Sequence, residues 1–179
     1  MLPFGMVEAS MDALPSLLAF RQMLDQQSQL TWRDQQLFWR NPSATAALLT
    51  KPCRFSAAEI VITLRLVEQL GAAGGYGFGL LDTHNQQAMH LALEQVESAW
   101  ALNWQAGAEQ QRIVLPPAFD PFEHQQFRLR QAGGQIALAW EAAELGALAF
   151  PPHLTQLFLA VQAAEIAIDE VRVTRLAAQ

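Results

Sequence analysis

One cysteine, Cys53, is all the chain has, so no intrachain disulfide and no Cys-x-x-Cys metal site can form. It reads as a small apolar residue buried at the start of a strand. A catalytic thiol needs a nearby histidine to lower its pKa, and the neighbouring sequence offers none. Charge is also scarce: 16% of residues are charged, with 11 Lys and Arg against 17 Asp and Glu for a net charge of −6. That balance, with no basic cluster to reverse it locally, argues against nucleic acid as a partner. No stretch approaches the ~20 apolar residues of a membrane-spanning helix, so no membrane partner is expected. The opening MLPFGMVEASMDAL lacks the basic start and long apolar run of a signal peptide, and the sequence leaves the compartment open. No G-x-S-x-G occurs, and the glycines from Gly71 to Gly79 lack the Lys-Ser/Thr ending of a phosphate loop. The histidines His84, His90, His124 and His153 show neither H-x-H nor H-x-x-x-H spacing, which disfavours zinc.

What the chain does have is period-two hydrophobicity. At 51% hydrophobic residues over 179 positions it is long enough for one self-sufficient core. We expect a lead over residues 1–16, disordered or helical, and a single β-sandwich domain over 17–179. Leu17 to Gln29 fits either a helical stripe (Leu17, Phe20, Leu24) or extended structure, and the segments after it favour the extended form. Thr31 to Arg40 reads as a hairpin around Asp34-Gln35. Ala44 to Thr50 reads as a strand closed by Pro52. In Ala58 to Val67, Ile60, Ile62, Leu64 and Leu66 share one face of a strand. Strands are also expected at Tyr76 to Leu81, Ala88 to Gln95, Ser98 to Gln105 and Arg112 to Leu115, with a turn at Asp82 to Gln87. Phe127 and Leu129, then Ile136, Leu138 and Trp140, alternate on either side of Gly133-Gly134, whose positive φ angles suit a tight hairpin. After Pro151-Pro152 come Leu157 to Val161 and Glu165 to Leu176. About a dozen short strands separated by turn residues predict an all-β fold, an antiparallel sandwich or jelly roll.

The last strand contains an irregularity. Ile166 and Ile168 share one parity, and Val171 and Val173 share the other. If all four are buried, a β-bulge at Asp169-Glu170 must shift the register by one residue.

The order of these elements resembles the concanavalin A-like lectin/glucanase superfamily, in particular the sandwich domains attached to or related to bacterial glycoside hydrolases. Four stretches carry the likeness: WRDQQLFWRN followed by AALLTKPCRFSAAEIVITLRL; GGYGFGLLDTHNQQAMHLAL; FDPFEHQQFRLRQAGGQIALAWEA; and LTQLFLAVQAAEIAIDEVRVTRL. Together they span Thr31 to Leu176. The resemblance implies a concanavalin A-like jelly roll and a carbohydrate partner. Glucanases of this superfamily carry E-x-D-x-E on one strand, and that triplet does not occur here. The expected function is therefore a carbohydrate-binding or accessory domain that does not catalyse. The alternatives are a divergent glycoside hydrolase with a concave-face active site and a protein–protein interaction domain that pairs with itself, as a homo-oligomer, or with another chain.

Candidate residues follow from types and parity. Trp100, Trp104 and Trp140 alternate with core residues and read as core. Trp32 and Trp39 flank a turn, are expected to be partly exposed, and are retained as sugar-stacking candidates. His90 and His124 lie on the outer parity of their strands. If those strands are neighbours, the two histidines with Tyr76 and Glu123 form a polar cleft, rimmed by Asp82 and His84. No cofactor is expected beyond calcium, for which Asp169 in the bulge is the ligand candidate, since a bulge frees hard backbone carbonyl oxygens beside its carboxylate.

Overall fold

The computed structural model describes residues 21–23, 28–53, 57–81, 87–150 and 155–176. The expected lead at 1–16, the Pro151-Pro152 break and the turn expected over Asp82 to Gln87, except for Gln87, which begins a strand, lie outside these residues. The strands are β1 (Arg21–Met23), β2 (Gln29–Arg33), β3 (Gln36–Asn41), β4 (Ala47–Cys53), β5 (Ala58–Gln69), β6 (Gly75–Leu81) and β7 (Gln87–Val96). They continue with β8 (Ala99–Ala106), β9 (Glu109–Val114), β10 (Gln125–Ala132), β11 (Gln135–Trp140), β12 (Ala143–Ala149), β13 (Thr155–Gln162) and β14 (Ala164–Arg175). Among the described residues there is no helix, hence none long and apolar enough to cross a membrane.

The strands form two antiparallel seven-stranded sheets. The first runs β1-β4-β13-β6-β7-β8-β9 and the second β12-β11-β10-β5-β14-β3-β2. Each strand sends alternate side chains between the sheets, as period two requires. Ile60, Ile62, Leu64 and Leu66 of β5 meet Phe78, Leu80, Met89, Leu91 and Leu159 of the first sheet in one core. Phe127 lies near its centre, 5.2 Å from Phe78 and 6.4 Å from Tyr76 between ring centroids. This is the sandwich that alternation predicts.

Turns follow local chemistry. Gly133 and Gly134 both take positive φ (61° and 77°), the mirror-image turn that a two-residue hairpin favours. Asp34 and Gln35 make the same turn between β2 and β3 without glycine, at φ 50° and 65°. The bulge in β14 is present: Ile168 pairs with Leu64 and Glu170 with Thr63, leaving Asp169 as the extra residue. Ile168 and Val171 are both fully buried, which the register shift makes compatible.

Two expectations need correction. Pro52 does not close its strand; β4 continues to Cys53, and Pro52 stands opposite Gln156 of β13. Among the described residues β1 pairs with Leu48 to Thr50, so the ladder that carries Pro52 is the one with β13, where proline at a strand end is tolerated. Trp39 is not partly exposed but fully buried, because it shares the inward parity of Leu37 on β3.

Candidate functional site

The outward face of the first sheet changes character across its width. Toward β4 it is apolar: Leu48, Leu81 and Phe158 form a small buried cluster with Ala160, separate from the main core. In the middle it is almost bare, because β6 presents Gly75, Gly77 and Gly79. A Cβ at Gly79 would stand 2.1 Å from the Met89 carbonyl oxygen and 2.9 Å from the Phe158 ring, so that position admits only glycine. Toward β9 the face is polar.

The bare middle holds a depression of about 160 Å³, lined by Gly75, Gly77, Ala92 and Ala160, with His90 and Phe158 at its sides. His90 also borders a second depression shared with Ala88, Gln105 and Gly107. It stands opposite Gly79 on one neighbouring strand and Gln105 on the other. Partial burial lowers the pKa of its imidazole from the ordinary histidine value, which favours the neutral ring. A neutral ring offers one donor and one acceptor nitrogen.

Beside it, three strands contribute one polar row. Glu94 on β7 accepts a hydrogen bond from Asn103 Nδ2 on β8 through one carboxylate oxygen, and from Arg112 Nη2 on β9 through the other. Glu94 and Arg112 remain partly exposed, at 31% and 52% of their side-chain surface. The row is therefore preorganised yet open to a ligand. Chain position alone puts Glu94 beside a turn. The usable signal is the shared outward parity of Glu94, Asn103 and Arg112 on three successive hairpin strands.

The other candidates separate. Tyr76 points inward, fully buried, and burial raises its pKa; its hydroxyl finds no acceptor among the described residues. Trp32 is half-buried against the core and Trp39 fully so. Glu123 is exposed in the loop before β10. His124 sits beside it, the last loop residue before β10 of the second sheet, so His90 and His124 do not share a cleft. His124 Nδ1 instead pairs with Asp169 Oδ2, and Gln36 Nε2 donates to Asp169 Oδ1. Asp82 and His84 lie outside the described residues. Among the described residues no cluster of three or more His, Cys, Asp or Glu side chains is placed to hold a metal ion.

No family model and no curated protein matches the chain. Solved structures do. A sialidase superposes with a TM-score of 0.67 at 9% identity over 87% of this chain, which spans 17% of that larger protein. The exoplasmic/lumenal domain of VIP36, in its Ca2+/Man3GlcNAc-bound form, gives 0.63 at 7% identity, covering 89% of this chain and 84% of that one. The β-glucanase of Bacillus licheniformis gives 0.62 at 7% identity, covering 88% and 92%. At such identities the likeness speaks for fold alone. With its two antiparallel sheets and its jelly-roll neighbours, the chain has the concanavalin A-like lectin/glucanase fold.

Proposed function

We propose that this sandwich binds carbohydrate on the outward face of its first sheet, over β6 to β9, and does not hydrolyse it. The observation that carries the reading is the Glu94–Asn103–Arg112 row beside a glycine-floored depression edged by His90. Sugars present vicinal hydroxyls that both donate and accept. A carboxylate, an amide and a guanidinium linked by hydrogen bonds complement such a diol. The C–H side of a pyranose needs an apolar surface close to the backbone, and Gly75, Gly77, Ala92 and Ala160 clear that space. The names of the structural neighbours, a glycan-bound lumenal domain and a glucanase among them, support the same class of ligand.

The non-catalytic part of the reading rests on carboxylates. Retaining and inverting hydrolysis both need two of them facing one bond, about 5 to 9.5 Å apart. Among the described residues of β6 to β9, the outward parity carries one, Glu94, and Arg112 and Asn103 already hold both its oxygens. A glycan array tests the proposal. Wild-type protein is expected to bind a defined subset of glycans, and Arg112→Ala to lose that binding with an unchanged melting temperature. Chromogenic glycosides related to the hits are expected to stay intact. Failure to bind any glycan, or turnover of one, would overturn the corresponding half of the reading.

A further inference from the structure

The outward face of the second sheet carries most of the chain's arginines, and their partners are unequal. Arg40 lies within 3.2 Å of Glu68 and 3.7 Å of Glu165. Arg128 faces Glu59 at 3.9 Å, and Arg172 faces Glu170 at 3.7 Å. Arg33 on β2 and Arg65 on β5 have no carboxylate partner among the described residues. Both turn to one ring instead: the Arg33 guanidinium carbon lies 4.0 Å from the centroid of Phe38, and that of Arg65 lies 5.9 Å away.

The register explains the convergence. Arg33 is the diagonal neighbour of Phe38 across the β2–β3 ladder, within reach of a long side chain. Arg65 approaches from the other side, over Ala167, which stands between Phe38 and Arg65 on β14 and is fully covered despite its outward parity. A bulky residue at 167 would block that crossing. Two acids stand two residues from Ala167 on β14: Glu165 lies 3.7 Å from Arg40, and Asp169, the extra residue of the bulge, is held by His124 and Gln36. Two guanidinium groups are thus gathered at one aromatic ring while the acids on either side are occupied.

We infer that the Arg33–Phe38–Arg65 cluster is an anion site that takes the carboxylate of a uronic acid unit in an acidic sugar chain. Guanidinium groups match a carboxylate in shape and donors, and a ring that orients them lowers the ordering cost of binding. Thr31, Gln36 and Thr63 share the outward parity of the cluster, and their hydroxyls and the Gln36 amide oxygen can meet sugar hydroxyls. The net charge of −6 opposes a polyanion at long range, but that repulsion is screened beyond about 8 Å at physiological salt. The site lies on the opposite side of the sandwich from the β6–β9 face and does not depend on the function proposed there.

Titration calorimetry with a short oligogalacturonate tests the assignment on the full chain. Wild type is expected to bind it and to ignore a neutral oligosaccharide of equal length chosen from those the array shows it does not bind. Arg33→Gln/Arg65→Gln is expected to bind about tenfold more weakly or worse, as loss of charged hydrogen bonds implies. Arg130→Gln removes another arginine without a carboxylate partner from the same face and serves as the control for unspecific attraction; its affinity is expected to match wild type. Should the double glutamine variant fold poorly, Arg33→Lys/Arg65→Lys keeps the charges while losing the planar forks, and is expected to bind several-fold more weakly. Equal binding by wild type and the cluster variants would overturn the assignment, as would equal losses in the cluster and Arg130 variants. Glycan binding abolished by Arg112→Ala but not by the cluster variants would identify the first sheet's site separately.

Discussion

Asp34 and Gln35 both occupy left-handed backbone, a conformation that costs a residue with a side chain about 1–2 kcal/mol. Glycine avoids that strain but loses about 0.5–1 kcal/mol through the entropy of the unfolded chain. The strain outweighs the entropy, so Gln35→Gly is expected to stabilise the protein by roughly 0.5–1 kcal/mol in urea unfolding. Unchanged or lowered stability would show that Gln35 makes a contact worth keeping. At His90 protons decide the outcome. Its folded pKa lies below the unfolded value of about 6.5, so the unfolded chain takes up the proton first as pH falls. Stability from this residue is full above that value and is lost as pH drops through the folded pKa. His90→Gln should flatten the stability profile below about pH 6.5, and an identical profile would remove burial as the cause.

At the scale of strands, much is legible in the sequence because alternation reports directly on faces. β5, β8, β10 and β11 follow from their apolar parity, and the Asp169 bulge follows from a parity conflict that only a register shift resolves. Pro52 misleads because sequence shows a missing donor but not whether a neighbouring strand needs one. Trp39 misleads because a place near a turn suggests exposure, whereas its parity with Leu37 decides its burial. Glycine in β6 carries a sharper prediction. A methyl group at Gly79 meets main-chain atoms of β7 that cannot move alone, so Gly79→Ala is expected to cost at least about 3 kcal/mol, read as a large fall in melting temperature. A shift of under a degree would show that the β6–β7 ladder yields easily. The bulge tests calcium: both Asp169 oxygens are engaged by protein groups, so a chelator is expected to leave the melting temperature unchanged. A chelator-induced fall that Asp169→Asn abolishes would make it a calcium ligand.

At the scale of the whole molecule, sequence identifies residue types but does not say which sheet each strand joins. By alternation His90 and His124 read as outward neighbours, yet His90 lies on β7 and His124 leads into β10 of the opposite sheet, and pairing order is set by long-range contacts that local pattern does not encode. For the same reason Glu94, Asn103 and Arg112 are not recognisable as a unit until β7, β8 and β9 are placed side by side. The central claim is that glycan lands on this polar end of the first sheet. Backbone amide shift mapping, with the tightest neutral glycan from the array titrated into isotope-labelled protein, tests it most directly. The account predicts saturable shifts centred on His90, Asn103 and Arg112 and extending to Gly77, with the second sheet silent. Shifts centred on the second sheet, or none at saturating glycan, would contradict it.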